Sequence, residues 1–410
     1  MGDPIGTLPL ILKAILVALV SVGVAHADWR QFRGSGVDGQ APAGSVFPSS
    51  LDDSSIQWKV DLPGRGLSSP VIVGEKLFLT AGSGPSQARL HVFCFSTEDG
   101  SQIWERQFFA TGRTMTHEKT SNAAPSPCTD GERVYALWSS NDLVCLDLDG
   151  NVQWIRGLMV DYPNASNSLG LATSPILVGD ILVVQIEVDS QSIAVGIDKV
   201  TGTNLWKVER EKKANWSTPV PLGEHGGKQL VALQGSAGVT AVDAATGETV
   251  WTHGEGASTI PSGVYRDGVF YAVSNGITAI DVVNSAPGET PKVLWEASTM
   301  RPKTPSPILL DDRIVIVAGD VFTCASLEDG ERLWKSRGEG GTITGSVIAA
   351  GNRLCAVSER EGIVQIIDPT GDEGKVTAKL KLGDLIQCTP AYADGAIYVR
   401  SDKMLWKIGG

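Results

Sequence analysis

The sequence predicts an all-β fold, an eight-bladed β-propeller, and three observations carry this prediction. A hairpin with the order strand, Asp, turn, Gly, three residues and Trp recurs along the chain. A second hairpin, which begins with Ser/Thr-Pro, precedes the copies of the first. Together the two hairpins supply about four strands in roughly 40–57 residues, which is the period and content of a propeller blade.

The Trp hairpin is clearest in VTAVDAATGETVW, which spans Val239–Trp251. Val239 and Ala241 lie on one face, with the period of two that is typical of a half-buried strand. Asp243 ends this strand, and Gly247 permits the positive φ of the turn. A looser copy ends at Trp295, and the other copies are Cys94–Trp104, Cys145–Trp154, Gly196–Trp206 and Cys324–Trp334.

The Ser/Thr-Pro hairpin consists of a short apolar run, a Gly or Asp, and a second apolar run. This pattern predicts two short buried strands that are joined by a turn. Its copies are Ser69–Leu79, Ser126–Leu137, Ser174–Val184, Ser306–Val317 and Thr389–Val399.

The two ends of the repeat array are predicted to complete one blade. Ile56–Leu62 resembles the Trp-bearing fourth strand of a blade, and Thr389–Lys407 supplies three strands before the chain stops. Joining them closes the ring and removes an exposed sheet edge. Seven blades are the alternative, because the last strand of the seventh blade, Lys375–Leu382, lacks Trp. The first seven blades begin near Pro70, Pro127, Pro175, Pro219, Gly263, Pro307 and Val347.

The chain divides into three parts. Residues 1–27 are predicted to be a signal peptide, since Ile11–Val24 is almost entirely apolar and is followed by Ala-His-Ala, a small-x-small cleavage site. An uncleaved anchor is the alternative, although the apolar run is short for a bilayer span. Residues 28–55 are polar and glycine-rich, and we expect an extended segment lying over the propeller of residues 56–410. The protein is therefore expected to be exported to the periplasm, the cell envelope or the medium, without a membrane span after cleavage.

Composition and charge exclude some classes of partner. The chain has 410 residues, a formal net charge of −12 and a pI near 5.0, and its basic residues are not clustered. Nucleic acid and anionic membrane surfaces are therefore not expected as partners. We expect a monomer. The six cysteines are well separated, and their spacing leaves any disulfide pairing open.

Eight tryptophans recur at the same place in the repeat. Their regular spacing favours packing between adjacent blades over a role as ligand platforms. They are Trp58, Trp104, Trp154, Trp206, Trp251, Trp295, Trp334 and Trp406.

The Trp hairpin resembles the tryptophan-docking repeat of the PQQ-type, or quinoprotein-like, β-propellers. The motif Asp–x–x–Thr-Gly–x–x–x–Trp is strict in Gly196–Trp206 and Val239–Trp251, and the resemblance covers residues 56–410. The chain is similar to bacterial secreted proteins of this group, also in its WRQFRGSGVDG opening. Such a repeat indicates the architecture and leaves the activity open.

The resemblance implies two functional classes. Quinoprotein dehydrogenases, which oxidise alcohols or sugars, bind PQQ and Ca²⁺ on the propeller axis, often beneath a disulfide between adjacent cysteines. The propeller lipoprotein of the outer-membrane β-barrel assembly machinery is a binding scaffold without a cofactor. This chain has no adjacent cysteines and no lipobox Cys, and its length is closer to the second class. We expect a scaffold without catalysis or cofactor, and the PQQ- and Ca²⁺-dependent dehydrogenase is the alternative.

No catalytic or metal-binding motif stands out. The sequence contains no HExxH, GxSxG, P-loop or CxxCH pattern. No catalytic residue and no metal ligand is therefore predicted.

The candidate binding site is a rim of loops on one face of the propeller. Three loops that join one blade to the next are long or polar, namely Ala110–Ala123, Met159–Ala172 and Glu209–Ser217. Rigid blades can hold such loops, and an aromatic side chain among charges can anchor a partner. We expect a protein, a small molecule or a carbohydrate to bind there, and ordinary solvated loop surface is the alternative. The predicted contacts are His117, Glu118, Lys119, Glu187, Asn215, Trp216, Arg301 and Lys303.

Overall fold

A computed structural model describes Gly2 and residues 28–166, 169–254, 256–285 and 288–410. Apart from Gly2, the expected signal peptide lies outside these residues. The described chain is almost entirely β-structure, with a single turn of α-helix, α1 (Leu158–Asp161), and two short 3₁₀ turns, Asp53–Ser55 and Pro85–Gln87. No helix in this part of the chain combines the length and apolar character that a bilayer crossing requires.

The described strands form eight antiparallel sheets of four strands each. The chain first forms β1 (Ile56–Asp61), which belongs to the last sheet. The first blade contains β2 (Val71–Val73), β3 (Lys76–Ser83), β4 (Arg89–Ser96) and β5 (Gln102–Phe109). The second contains β6 (Cys128–Thr129), β7 (Arg133–Leu137), β8 (Asp142–Asp147) and β9 (Val152–Gly157). The third contains β10 (Ile176–Val178), β11 (Ile181–Ile186), β12 (Ser192–Asp198) and β13 (Asn204–Arg210).

The remaining blades repeat this order. The fourth contains β14 (Val220–His225), β15 (Lys228–Gly235), β16 (Gly238–Asp243) and β17 (Thr249–His253). The fifth contains β18 (Val264–Arg266), β19 (Val269–Ser274), β20 (Gly276–Asp281) and β21 (Val293–Ala297). The sixth contains β22 (Ile308–Leu310), β23 (Arg313–Ala318), β24 (Val321–Ser326) and β25 (Arg332–Arg337). The seventh contains β26 (Ile348–Ala350), β27 (Arg353–Val357), β28 (Ile363–Asp368) and β29 (Lys375–Lys381), and the last contains β30 (Ala391–Ala393), β31 (Ala396–Arg400) and β32 (Met404–Gly409) together with β1.

The burial of a strand follows from its place in the blade. Second and third strands are covered on both faces by neighbouring blades, so they are nearly continuous apolar runs. In β11, every residue after Ile181 is buried. Fourth strands lie at the outside and alternate, as in β13, where Trp206 is buried between the exposed Leu205 and Lys207. The core is therefore a series of layers between blades.

Strands from both ends of the described chain close the ring. In the last sheet, the order is β1-β32-β31-β30, and β1 pairs antiparallel with β32 from Ile56 opposite Ile408 to Asp61 opposite Met404. The Leu62 N–H extends this pairing by donating to the Lys403 carbonyl at 2.6 Å. The predicted eight-bladed propeller is confirmed, and the seven-bladed alternative is wrong.

Six of the tryptophans reach from one blade to the next in the same way. Each indole N–H donates to a backbone carbonyl of the following blade, and a turn glycine of that blade faces the ring. A Cβ on Gly150 would lie 2.8 Å from Trp104 Cδ2, so only glycine allows this approach. The Nε1···O distances are 3.2 Å for Trp58, 3.0 Å for Trp104, 3.2 Å for Trp154, 2.7 Å for Trp206, 2.9 Å for Trp295 and 3.1 Å for Trp334.

Two tryptophans depart from this pattern. Trp251 occupies the fourth-strand position, but its buried indole N–H has no partner among the described residues. Trp406 lies on β32, the third strand of the last blade, because Trp58 on β1 supplies the fourth strand there. In the seventh blade, Ala378 takes the position of the tryptophan, opposite Ile366.

The N-terminal segment, residues 28–55, enters the centre of the propeller as well as lying over its surface. Trp29 exchanges backbone hydrogen bonds with Ile72 of the first blade, and Ala41 and Gly39 bond to Ala349 of the seventh. The fully buried Arg33 donates to the Pro307 carbonyl at 2.5 Å. These contacts place the first part of the segment across the axis, where it contacts first strands on several sides of the ring.

Candidate functional site

A hydroxyl side chain stands two residues before the first strand of every blade. First strands of adjacent blades contact one another at several places around the molecule, as β2 and β6, β6 and β10, β14 and β18, and β22 and β26 do, so these positions surround the propeller axis. All eight side chains are buried. We refer to them as the hydroxyl ring, which consists of Ser69, Ser126, Ser174, Thr218, Ser262, Ser306, Ser346 and Thr389.

Hydrogen bonds connect the hydroxyl ring from blade to blade. The backbone N–H of one member donates to the hydroxyl oxygen of the next member, and seven of the eight consecutive pairs are joined in this way. The N···O distances are 2.8 Å for Ser69–Ser126, 3.0 Å for Ser126–Ser174, 3.1 Å for Ser174–Thr218, 2.8 Å for Thr218–Ser262, 3.0 Å for Ser262–Ser306, 3.0 Å for Ser306–Ser346 and 2.8 Å for Ser346–Thr389.

All eight ring members line a cavity of about 410 Å³ on the axis, the axial cavity. Its walls are largely apolar and include Leu67, Leu169, Ile260 and Trp216. Phe32 of the N-terminal segment also lines it, so this segment closes the side away from the loops. Because its outer residues are exposed while the ring is buried, the cavity leads from the loop face down to the hydroxyls.

The described lining of the axial cavity includes basic side chains but no acidic ones. Lys119 and His117 lie at its mouth, and both are exposed. None of the described residues that line it is Asp or Glu. The site therefore favours neutral or negatively charged groups over cations.

Three of the predicted contacts meet in this cavity, namely His117, Lys119 and Trp216. The His117 N–H donates to the Leu169 carbonyl at 2.9 Å, and His117 Nδ1 accepts from the Lys119 N–H at 3.1 Å. Trp216 Nε1 donates to the Gly170 carbonyl at 2.6 Å. Hydrogen bonds thus join the three long loops of the predicted rim.

The structure places Glu118 beside the cavity. Its carbonyl accepts from Arg65 Nη2 at 2.6 Å, and Arg65 also pairs with Asp402 at 3.2 Å. Arg65, Glu118, Asp402 and Lys403 line a separate polar depression, the side groove, which shares Lys119 with the axial cavity.

Glu187 and Asn215 lie below the surface and support the loops. Glu187 Oε1 accepts from Arg210 Nε at 2.6 Å, and their side chains are only 2% and 6% exposed. Burial raises the pKa of Glu187, against the lowering effect of Arg210. Asn215 is fully buried and donates to the Gln234 carbonyl at 2.8 Å.

Arg301 and Lys303 lie on the surface near the cavity without lining it. Arg301 donates to the Ser298 carbonyl and to Asn275 Oδ1, each at 2.8 Å. The Lys303 N–H donates to the Val317 carbonyl at 3.2 Å, and the next residue, Thr304, lines the cavity.

Sequence reasoning missed the hydroxyl ring. The signal was present, because Ser or Thr begins every copy of the Ser/Thr-Pro hairpin. In the sequence, this residue marked only the start of a hairpin. Its second role depends on ring closure, which places eight distant positions around one axis.

All six cysteines are buried and free. Burial raises the pKa of the Cys94 and Cys145 thiols to about 12 and that of the Cys324 and Cys388 thiols to about 11. Burial also raises the pKa of Cys128 and Cys355. The spacing left any disulfide pairing open, and in the structure all six cysteines are unpaired residues of the core.

A chain of polar side chains crosses one face of the first blade. Ser83 Oγ lies 2.6 Å from His91 Nε2, and His91 Nδ1 lies 2.6 Å from Glu105 Oε1. These are the residue types of a hydrolytic triad. None of the three lines the axial cavity, and His91 is buried and stacked on Phe93, so we interpret the chain as a link between three strands.

The lining of the axial cavity suits PQQ but does not suit the Ca²⁺ ion that PQQ-dependent dehydrogenases bind beside it. Hydroxyl donors and Lys119 suit the carboxylates of an anionic quinone. Calcium needs six to eight oxygen ligands, several of them carboxylates. The described cavity lining lacks carboxylates, and the described residues contain no group of three or more His, Cys, Asp or Glu that could hold a metal ion. The residues present do not fit the metal.

The fold and the repeat define the class of this protein as a PQQ-repeat β-propeller. The family model described as outer membrane protein assembly factor BamB matches residues 43–186 and 189–408. Since this match includes most of the chain, the chain belongs to that family.

Individual relatives are distant. A protein of Alkalilimnicola ehrlichii named outer membrane protein assembly factor BamB is 24% identical over 162 residues, which are 39% of this chain and 37% of that protein. The chain thus matches well under two thirds of that relative's length.

Solved structures share the fold at low identity. BamB from Moraxella catarrhalis has a TM-score of 0.62 at 15% identity, with 87% of this chain and 97% of that chain covered. A europium-containing methanol dehydrogenase has a TM-score of 0.70 at 10% identity, with 92% and 90% covered. One fold therefore contains both a protein named as an assembly factor and an enzyme, and the fold alone does not choose between them.

Proposed function

We propose that the protein is an exported binding scaffold of the cell envelope that holds a partner at the axial cavity and carries out no chemistry of its own. The observation that carries this proposal is the cavity itself. It is open toward the loop face, closed by Phe32 on the other side, and lined at its mouth by His117, Lys119 and Trp216. Concave, mostly apolar sites with a few polar groups are typical of binding sites.

The family supports a role in protein assembly at the envelope. Proteins that share this family's model are described as outer membrane protein assembly factors. We infer that this chain works beside other proteins in such a process, with the loops around the axial cavity as its contact surface. Hydrogen bonds among these loops preorganise the surface, which lowers the cost of binding.

The dehydrogenase remains the second candidate because the methanol dehydrogenase fold covers 92% of this chain. The axial cavity argues against it. A calcium ion there would meet hydroxyl oxygens but no carboxylate of the described lining, and Lys119 at the mouth would repel it.

Site-directed photo-crosslinking tests the scaffold proposal. A photoreactive side chain replaces Lys119 at the cavity mouth in one variant of the full chain. In a matched control it replaces Glu132, an exposed residue in the β6–β7 turn at the other end of the second blade. Both proteins are expressed with their leader and irradiated in intact cells.

We expect specific protein adducts from position 119 and far fewer from position 132. Adding Trp216→Ala to the first variant should reduce these adducts while the circular dichroism spectrum stays unchanged. Equal adducts from both positions, or adducts that are insensitive to Trp216→Ala, would contradict the proposal.

A further inference from the structure

Seven hydroxyls of the ring carry hydrogen atoms that no described protein group accepts. A Ser or Thr hydroxyl has one hydrogen to donate and two lone pairs. In seven ring members, from Ser126 to Thr389, one lone pair accepts the N–H of the preceding blade. Within the described part of the chain, these seven hydroxyls donate no hydrogen bond. Buried donors need acceptors, so the free hydrogens call for a group inside the axial cavity.

The hydroxyl ring is deeply buried and its geometry is fixed by the protein. Its members are 1–5% exposed, and all eight line the same cavity. The inter-blade hydrogen bonds fix the hydroxyl oxygens, so the donors are held in place before any ligand arrives.

The cavity walls above the hydroxyl ring are apolar and therefore favour a ligand with an apolar body. Leu67, Ile260 and Trp216 provide apolar surface, and Phe32 lies on the side that the N-terminal segment closes. An alkyl or aryl body of a small organic molecule fits such a lining, and about 410 Å³ lies within the size range of small-molecule sites.

The charge of the lining selects the sign of the head group. Lys119 is the cation at the mouth, and no Asp or Glu is found among the described lining residues. A carboxylate offers only acceptor positions, and hydrogen bonds from hydroxyls to a carboxylate are short and strong. A polyol brings its own donors as well, and therefore matches a ring of donors less well.

We propose that the axial cavity is a binding site for a small organic carboxylate with an apolar body. The carboxylate accepts hydrogen bonds from the hydroxyl ring, and the body lies against Trp216, Leu67 and Ile260. The inference rests on the proposed function because it uses the same cavity, and it names the chemical class of one ligand.

Isothermal titration calorimetry on the chain that begins at Asp28 tests the assignment with defined probes. The first probe is 4-phenylbutyrate, and the matched neutral probe is 4-phenylbutan-1-ol. We expect the carboxylate to bind at least about tenfold more tightly than the alcohol, because only the carboxylate satisfies several donors with charge-assisted hydrogen bonds.

Three variants locate the binding. Ser174→Ala removes one ring hydroxyl and should weaken 4-phenylbutyrate about tenfold. Ser174→Thr keeps the hydroxyl, as in Thr218 and Thr389 of other blades, and should restore binding. Lys119→Gln should also weaken the carboxylate but not the alcohol. Lys403→Gln, in the side groove and outside the axial cavity, is the control that leaves both affinities unchanged.

Equal affinity for the two probes would overturn the proposal, and so would the absence of any binding of 4-phenylbutyrate. The proposal would also fail if 4-phenylbutyrate bound Ser174→Ala and Lys119→Gln as tightly as it binds the unmodified chain. Such a failure leaves the crosslinks at position 119 unaffected, so it is distinguishable from a failure of the scaffold proposal.

Discussion

Glu187 and Arg210 form an ion pair that the protein keeps almost entirely out of water. Arg210 also donates to Thr240 Oγ1 at 2.9 Å and to the Leu233 carbonyl at 3.0 Å, so it joins β13 to the fourth blade. Beside the pair, Glu187 and Asn215 form an isolated bridge beneath the Glu209–Ser217 loop. The pair therefore supports the loop that carries Trp216.

Glu187→Gln should lower the free energy of unfolding by about 3–5 kcal/mol, because it leaves Arg210 charged and buried without its counter-ion. Urea denaturation followed by tryptophan fluorescence measures this loss. The double variant Glu187→Gln/Arg210→Met removes both charges and should recover part of the stability. A single variant as stable as the parent would show that solvent reaches the pair.

The cysteines give a second prediction at this scale. Because burial raises the pKa of every thiol, the thiolate that attacks disulfide reagents is scarce at pH 8. We expect Ellman's reagent to modify none of the six thiols in the folded protein at pH 8 and all six in guanidinium chloride. Fewer than six thiols in the denaturant would reveal a disulfide.

Residue types and spacing predicted the cavity residues His117, Lys119 and Trp216 but not the depth of their neighbours. Glu187 and Asn215 are polar residues in or beside predicted loops, and nothing in the neighbouring residues distinguishes them from exposed loop residues. Only the approach of the third and fourth blades buries them. That approach depends on contacts between residues far apart in sequence, and local patterns do not report it.

At the scale of the element, the unit that repeats is a tryptophan from one blade and a turn glycine from the next. Gly150 has φ +81° and faces Trp104, and Gly202 has φ +72° and faces Trp154. The glycine serves both the turn and the blade contact. This explains why Gly and Trp recur together in the Trp hairpin.

Gly150→Ala should cost about 2–4 kcal/mol, which combines the strain of a positive φ with overpacking against Trp104. The matched control is Gly179→Ala, at φ +59° with open space around its Cβ position, which should cost only about 1 kcal/mol. Chemical denaturation of both variants checks the difference. Equal losses would show that Trp104 shifts freely and does not fix the blade spacing.

The hairpin pattern predicted blades because alternation, turns and Trp spacing are local. It predicted Trp406 less well. Trp406 directly follows a leucine, as Trp206 and Trp334 do, but pairing with β1 makes β32 an inner strand. The role of Trp406 is thus determined by a strand more than 340 positions earlier in the chain.

At the scale of the whole molecule, the N-terminal region has two tasks. Residues 28–41 cross the axis and contact first strands, whereas β1 completes the last blade. Sequence reasoning could predict the second task because a lone fourth strand was visible. It could not predict the first, because residues 28–55 lack a period, and their fit depends on the width of a channel that forms only after closure.

Three chains that begin at Asp28, Ala41 and Pro63 separate these tasks. Relative to the first, the chain from Ala41 should remain folded with a lower melting temperature, because it lacks the buried Trp29 and Arg33. The chain from Pro63 should aggregate, since its last blade exposes the edge of β32. Size-exclusion chromatography and thermal melts compare them. A monomeric chain from Pro63 with an unchanged melting temperature would contradict the closure.

The most direct test of the proposed function is the retention of PQQ in the presence of Ca²⁺. The chain that begins at Asp28 is incubated with both, passed through a desalting column, and examined for quinone absorbance and for dye-linked oxidation of methanol, ethanol and glucose. Because the described lining of the axial cavity offers calcium no carboxylate ligand, we expect no calcium-dependent retention and no oxidation. Stoichiometric, calcium-dependent quinone with alcohol or sugar oxidation would contradict the scaffold and identify a quinoprotein dehydrogenase.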